Sequence, residues 1–161
     1  MFKEYEKAWE QYRNGLDIVS LPLISWEFYN LPRIEQKEFN AVQSLWNEKV
    51  NYNTIISKMK KAIVVTDANF RIIFASSSIS EMTGYDYQEI RGRSPKMFQG
   101  EKTSEETREK IRIAIKDKKP FKEVILNYRK NGETYYCEIE AHPKFDKNGN
   151  FLNYIAFEQA A

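Results

Sequence analysis

Residues 121–159 read FKEVILNYRKNGETYYCEIEAHPKFDKNGNFLNYIAFEQ, three runs rich in β-branched and aromatic residues cut by Asn131-Gly132 and Asn148-Gly149. An Asn-Gly dipeptide between two such runs signals a hairpin and best fits a type I′ turn. A three-stranded antiparallel meander is therefore expected. Period-two alternation assigns its faces. Tyr135, Cys137, Ile139 and Ala141 share one face of the middle run, taken as the inner one, while Tyr136, Glu138, Glu140 and His142 share the other. In the first run Ile125 and Asn127 alternate with Val124, Leu126 and Tyr128; in the last, Tyr154, Ala156 and Glu158 alternate with Ile155 and Phe157. Both faces carry apolar groups. A sheet with one solvated face has no need of Val124, Leu126, Tyr128, Ile155 and Phe157 on its second face, so something is expected to cover it.

Upstream, AIVVT (62–66) and FRIIFAS (70–76) form a strand pair around Asp67-Ala68-Asn69, which supplies turn chemistry. Ser78 with Glu81, Asp86 with Glu89 and Thr103 with Glu106 match the capping box and mark three helix starts. The third opens the longest helix of this region, about Ser104 to Lys116, which Pro120 stops. Before Lys60 the texture changes. Phe2, Tyr5, Trp9 and Tyr12 place an aromatic stripe on a helix that Gly15 can end. Pro22 and Pro32 are then expected to forbid a continuous helix, and Phe39, Val42, Trp46 and Val50 restore a helical face between Ile34 and Lys60. The organisation expected is a helical segment over 1–60 with a proline-containing hinge, followed by an α+β domain over 61–159. That domain holds a five-stranded antiparallel sheet with helices on one face. The aromatic helices are the candidate cover for the outer face, supplied by the same chain or by a second copy.

Of the 161 residues 25 are basic and 23 acidic, a net charge of +2 that is too small for a phosphate-tracking nucleic-acid binder unless the positive charges cluster. The 42% hydrophobic and 14% aromatic content argues against a disordered chain. One cysteine, Cys137, and one histidine, His142, exclude an internal disulfide and a Cys/His-only zinc site within the chain. Their odd spacing on one strand puts them on opposite faces, which argues against a shared metal or a Cys–His catalytic pair. The N-terminus has no apolar signal-like region and no run approaches 18 uncharged apolar residues, so no membrane partner is expected and a reducing, cytoplasmic setting is. No phosphate-cradling Gly-rich loop is present, and the lone histidine lacks the context of a histidine kinase, so the chain is not expected to be an enzyme.

The order strand, strand, small helices, long helix, three strands, with the strings IVVTDANFRIIFAS, EMTGYDYQEIRGRSPKMFQG, NYRKNGETYYCEIE and PKFDKNGNFLNYIAFE, resembles the PAS domain family from about Ala62 to Gln159. Within it the chain is most similar to the light-oxygen-voltage (LOV) type, which binds a flavin nucleotide between helices and sheet and carries the motif GxNCRFLQG. Here that motif reads GRSPKMFQG over 92–100, with Pro95 at the place of the photoactive cysteine. Proline has neither a thiol nor a backbone donor. The resemblance keeps a flavin-contacting asparagine as Asn127 and retains Gln99, but puts Cys137 at the companion asparagine and Glu158 at the glutamine that reads the flavin edge. Lys96 replaces one phosphate-binding arginine, and Glu109 stands where the other is expected, where a carboxylate would repel phosphate. These departures argue against photoactive FMN. Heme is disfavoured as well, because the long helix has no histidine and His142 faces outward.

Gln99, Asn127, Cys137 and Glu158 are thus the candidate pocket-lining residues, for an unidentified small molecule or a noncovalent flavin. Inward polar groups satisfied within a filled core are the competing reading, and a small buried hydrophobe is the bland reading of Cys137. The function implied is a non-enzymatic sensory or protein-interaction module in signal transduction, forming a homodimer and meeting a signalling partner. Its expected interface comprises Val124, Leu126, Tyr128, Ile155 and Phe157 with Trp9 and Trp46 of the N-terminal helices.

Overall fold

The computed structural model describes the chain from Ile24 to Ala161, with side chains from Arg33 onward. The aromatic stripe from Phe2 to Tyr12, including Trp9, and the hinge residue Pro22 lie outside the described residues.

Helix α1 (Ile24–Val42) is followed by strands β1 (Ala62–Thr66) and β2 (Ile72–Ala75), and by short helices α2 (Ser78–Thr83) and α3 (Tyr87–Ile90). The long helix α4 (Glu105–Lys116) then leads into β3 (Phe121–Tyr128), β4 (Thr134–Phe145) and β5 (Phe151–Ala160). The five strands form one antiparallel sheet in the order β2-β1-β5-β4-β3. The last strand therefore fills the centre, between the first hairpin and the meander. Period-two alternation assigns the inner face correctly: Val64, Ile72, Ile125 and Cys137 pack with Ile79, Ile90 and Phe98 from the helical side. No helix among the described residues is long and apolar enough to cross a membrane.

The two Asn-Gly turns are not type I′, which needs positive φ at both central residues. Only the glycines have it, Gly132 at 89° and Gly149 at 82°. Each loop holds three residues, closed by Gly132 N–H donating to Arg129 O and Gly149 N–H to Asp146 O, a turn ending in a left-handed bulge position. The β1–β2 loop repeats the pattern, with Phe70 N–H donating to Asp67 O and Phe70 itself at φ 60°. A phenylalanine where glycine is preferred carries a steric cost of roughly 1–2 kcal/mol. Its ring is used, packing 5.4 Å from that of Tyr154.

Of the three capping boxes only the middle one closes, Glu89 accepting from the Asp86 N–H at 2.9 Å. Ser78 bonds to Ser76 Oγ instead and Ser77 takes the cap position of α2. At α4 the cap moves one residue on, to Ser104, whose Oγ accepts from Thr107 N at 3.3 Å. Thr103 turns inward, accepting from Gly100 N and donating to Leu126 O, because those backbone groups would otherwise be buried unpaired.

The segment before β1 departs most from expectation. Helix α1 runs through Pro32, since a proline removes one ladder bond without leaving helical φ. The helix expected over Ile34–Lys60 is broken instead. It tightens into a 3-10 turn at Gln43–Leu45, Trp46 is extended, and Thr54–Lys58 forms a separate π-helical turn. Gln43 holds the break by accepting from Val50 N at 2.8 Å and donating to Val50 O at 3.2 Å.

A boundary between two compact units falls at Ile34/Glu35, and the second, Glu35–Ala161, includes this segment. Phe39, Trp46, Tyr52 and Ile55 are buried against Ile63, Val65, Phe74, Ile155 and Phe157 on the outer face. The Phe39 ring, 0% exposed, lies 5.4–6.0 Å from those of Phe74, Tyr52 and Trp46. Trp46 Nε1 donates to Asn153 Oδ1 at 2.8 Å, and Glu35 accepts from Tyr52 OH at 2.5 Å and Ser77 N at 3.0 Å. The β2–β1–β5 half of the outer face is thus covered by the same chain. Trp46, Ile155 and Phe157, read from sequence as interface residues, are core residues of this cover, because apolar area is removed from water as effectively by a tethered segment as by a second copy. Among the described residues nothing covers the β3–β4 half, where Val124 is 51% and Tyr136 58% exposed.

Candidate functional site

Between the inner sheet face and the helices lies a cavity of about 870 Å³, within the range of small-molecule sites. Strands β1, β3, β4 and β5 form its floor through Val64, Asn127, Ile139 and Ala156, while the 3-10 turn Pro95–Phe98 and α4 form its wall. Tyr154 pins α4 to β5, its hydroxyl reaching the carbonyls of Ala114 and Lys119 at 3.2 and 3.1 Å. Burial pushes that phenol up to about 12.

Of the sequence candidates, Gln99, Asn127 and Glu158 line the cavity together. Cys137 does not: it is fully buried in the inner core, with Sγ 3.7 Å from Glu158 Oε2. Alternation gives the face of a strand residue but not its distance from a void. Burial, reinforced by the Glu158 carboxyl, pushes the thiol far up, so it is neither a nucleophile nor an adduct former at neutral pH. Glu158 is 5% exposed, and burial raises its carboxyl to about 7 from the ordinary 4.5. His142 lies on the outer face with Nε2 3.0 Å from Glu140 Oε1 and its ring 5.9 Å from that of Phe157.

The expectation that Glu109 presents a repelling carboxylate is corrected. Its two oxygens are held by Arg112 at 2.7 and 2.8 Å, which neutralises it. Arg108, one turn earlier, also lines the cavity, with Nη2 2.5 Å from Gly100 O and Nη1 3.3 Å from Glu105. Sequence reasoning missed both arginines, although the spacing of Arg108 and Arg112 with Glu105 and Glu109 on one helix face was visible. Glu109 takes up Arg112 and Glu105 takes up Arg108 Nη1, so Lys96 and Arg108 Nε are the groups that present positive charge to this side of the cavity.

Two lining polar atoms, Thr66 Oγ1 and Arg108 Nε, are buried without a hydrogen-bond partner among the described residues. A flavin nucleotide, which the resemblance implies, can be tested against this set. Lys96 and the unpartnered Arg108 Nε fit a phosphate, and Asn127 and Gln99 fit a heterocycle edge. Pro95 and the buried Cys137 do not fit a cysteinyl adduct. Such a group, when bound, would supply a conjugated ring that absorbs light or accepts electrons, and the residues here would hold it noncovalently.

Tyr128 is not on an open face. Its hydroxyl accepts from Lys102 N at 3.0 Å and its ring lies where a Cβ on Gly100 would be, at 2.5–2.8 Å. Gly100 is therefore required by close approach. Gly100→Ala is expected to push the ring aside and cost about 1–3 kcal/mol in thermal unfolding, and an unchanged midpoint would show the contact to be dispensable.

A family model described as PAS domain matches residues 60–159. Protein TWIN LOV 1 of Arabidopsis thaliana is 30% identical over 128 residues, 77% of this chain and 31% of that protein. Phototropin-2 of Oryza sativa subsp. japonica is 32% identical over 112 residues, covering 68% of this chain and 12% of its own. The chain thus spans less than a third of the length of either. Among solved structures, the light state of the blue-light photoreceptor Aureochrome1 LOV superposes with a TM-score of 0.62 at 29% identity, covering 69% of this chain and 89% of that one.

Proposed function

Since the chain belongs to the PAS domain family through residues 60–159, we propose that it is a non-enzymatic sensory module of signal transduction whose cavity binds a small molecule. The observation that carries this reading is the pair of buried, unpartnered lining atoms, Thr66 Oγ1 and Arg108 Nε, in the cavity that the buried Glu158 carboxyl also lines. Buried polar groups are satisfied in the great majority of native proteins, and a ligand meeting these would satisfy them. The cover segment is the element we assign to relaying occupancy, because Glu35 accepts from Tyr52 within the segment and from Ser77 N at the start of α2. The open β3–β4 face, with Val124, Leu126 and Tyr136, is the surface we assign to a second copy or a signalling partner.

Native mass spectrometry of the freshly purified chain tests both parts. The expected spectrum holds a dimer and a bound species whose mass identifies it. A flavin mass would favour a noncovalent flavin sensor over other ligands, and bare monomers at micromolar concentration would overturn the reading.

A further inference from the structure

Three glutamates line the cavity, and they are not equivalent. Glu105 lies 3.3 Å from Arg108 and Glu109 is held bidentately by Arg112. Glu158 has no cation beside it among the described residues, and its one side-chain neighbour within hydrogen-bonding reach is the weak thiol donor of Cys137 at 3.7 Å. It is also the most enclosed of the three, at 5% exposure on the central strand, whereas on α4 Glu105 is exposed and Glu109 half-buried. A carboxylate in that position has two oxygens able to accept, and among the described residues only the weak Cys137 thiol meets one of them. A metal ion is a poor match, since one carboxylate flanked by amides and apolar groups lacks the several oxygen ligands a hard cation requires. The cavity that Glu158 lines is walled by Val64, Phe98, Ile139 and Ala156 and also carries the Asn127 and Gln99 amides. They suit a flat apolar body with hydrogen-bonding groups on its rim.

Resting on the reading of this cavity as a ligand site, we infer that Glu158 selects a planar heteroaromatic ligand whose edge presents a ring N–H and an exocyclic NH2 side by side, an amidine- or guanidine-type edge. Two parallel donors match the two oxygens of a carboxylate, as in a guanidinium–carboxylate pair. A glutamine at the same place offers one acceptor and one donor and so prefers a different edge. The ligand's donors would supply the counter-group that Glu105 and Glu109 already have from arginines.

The probes are 2-aminobenzimidazole, which carries this edge, and benzimidazole, which lacks only the exocyclic amine. Their binding to the full chain and to Glu158→Gln is measured by titration calorimetry at about pH 8, above the midpoint of Glu158. Hydrogen bonds to a charged group lead to an expected preference of about 10- to 100-fold for 2-aminobenzimidazole, lost in Glu158→Gln. Equal binding of the two probes to the full chain, or a preference that survives Glu158→Gln, overturns the role of Glu158 while leaving the cavity a ligand site. Absence of binding by either probe at millimolar concentration also overturns the inference. The cavity reading then falls with it only if native mass spectrometry finds no co-purified small molecule.

Discussion

Phe39→Ala is expected to destabilise the chain by about 3–5 kcal/mol, the range for truncating a fully buried phenylalanine. Phe39 is 0% exposed and is the ring on which the cover segment converges, touching Trp46 and Tyr52 on its own side and Phe74 on the sheet. Removing it leaves a void between segment and sheet, which the rigid β1–β2 pair cannot close by moving. Urea unfolding followed by tryptophan fluorescence measures the loss. Because the cover belongs to the same chain, the loss caused by Phe39→Ala is expected to be the same at every protein concentration. A loss below about 1 kcal/mol would mean that the segment contributes little to the core. A loss that grows or shrinks with protein concentration would mean that a second copy supplies part of the cover.

The second large effect concerns Glu158. Its folded-state carboxyl titrates near 7 against 4.5 ordinarily, chiefly because burial disfavours the charge. A carboxyl raised on folding binds its proton more tightly in the native state. Its stabilising contribution is therefore complete below about pH 4.5 and is lost as pH rises through about 7. The shift corresponds to about 3 kcal/mol between those limits. Glu158→Gln removes the titration without changing shape. The variant is expected to gain on the parent as pH rises from 5 to 8, by up to about 3 kcal/mol, with near-equality at the acid end. Cys137 and Tyr135, the titratable neighbours, are both pushed upward by burial and stay neutral across this window. The exposed carboxylates lowered by lysine or arginine partners, such as Glu89, Glu106 and Glu109, titrate alike in both proteins and cancel in the difference. Parallel stability curves for parent and variant would show that Glu158 reaches water or a cation in the folded state.

Local pattern carried much of the fold. The strands of the meander, their inner and outer faces, the long helix and the first strand pair all follow from alternation and turn residues. Each depends on dihedral preferences within a few residues. Departures from expectation trace to competition from distant groups. Thr103 is as good a cap by type as Ser104, but the buried backbone of Gly100 and Leu126 claims its hydroxyl. Asn131 keeps negative φ because the loop takes three residues and leaves the left-handed position to Gly132. The helix expected over Ile34–Lys60 breaks where Gln43 bonds back to Val50, freeing Trp46 to reach Asn153. At the site, Gln99, Asn127 and Glu158 were legible as inward polar residues. Cys137 was legible as inward but not as set behind Glu158, and the ion pairing that cancels Glu109 was not read.

By itself the sequence determined an α+β sheet domain, the polarity of its faces and the absence of a thiol at Pro95, since alternation and residue identity are properties of the chain taken locally. Only the tertiary structure decided that residues 35–58 cover half of the outer face from within the same chain, because the same aromatic stripe serves equally well in cis or in trans until the tether is traced. It also decided that, among the described residues, Glu158 alone of the cavity's glutamates has no cation beside it. Which charges meet depends on how α4 lies across β5, and that is set by packing between residues far apart in the chain.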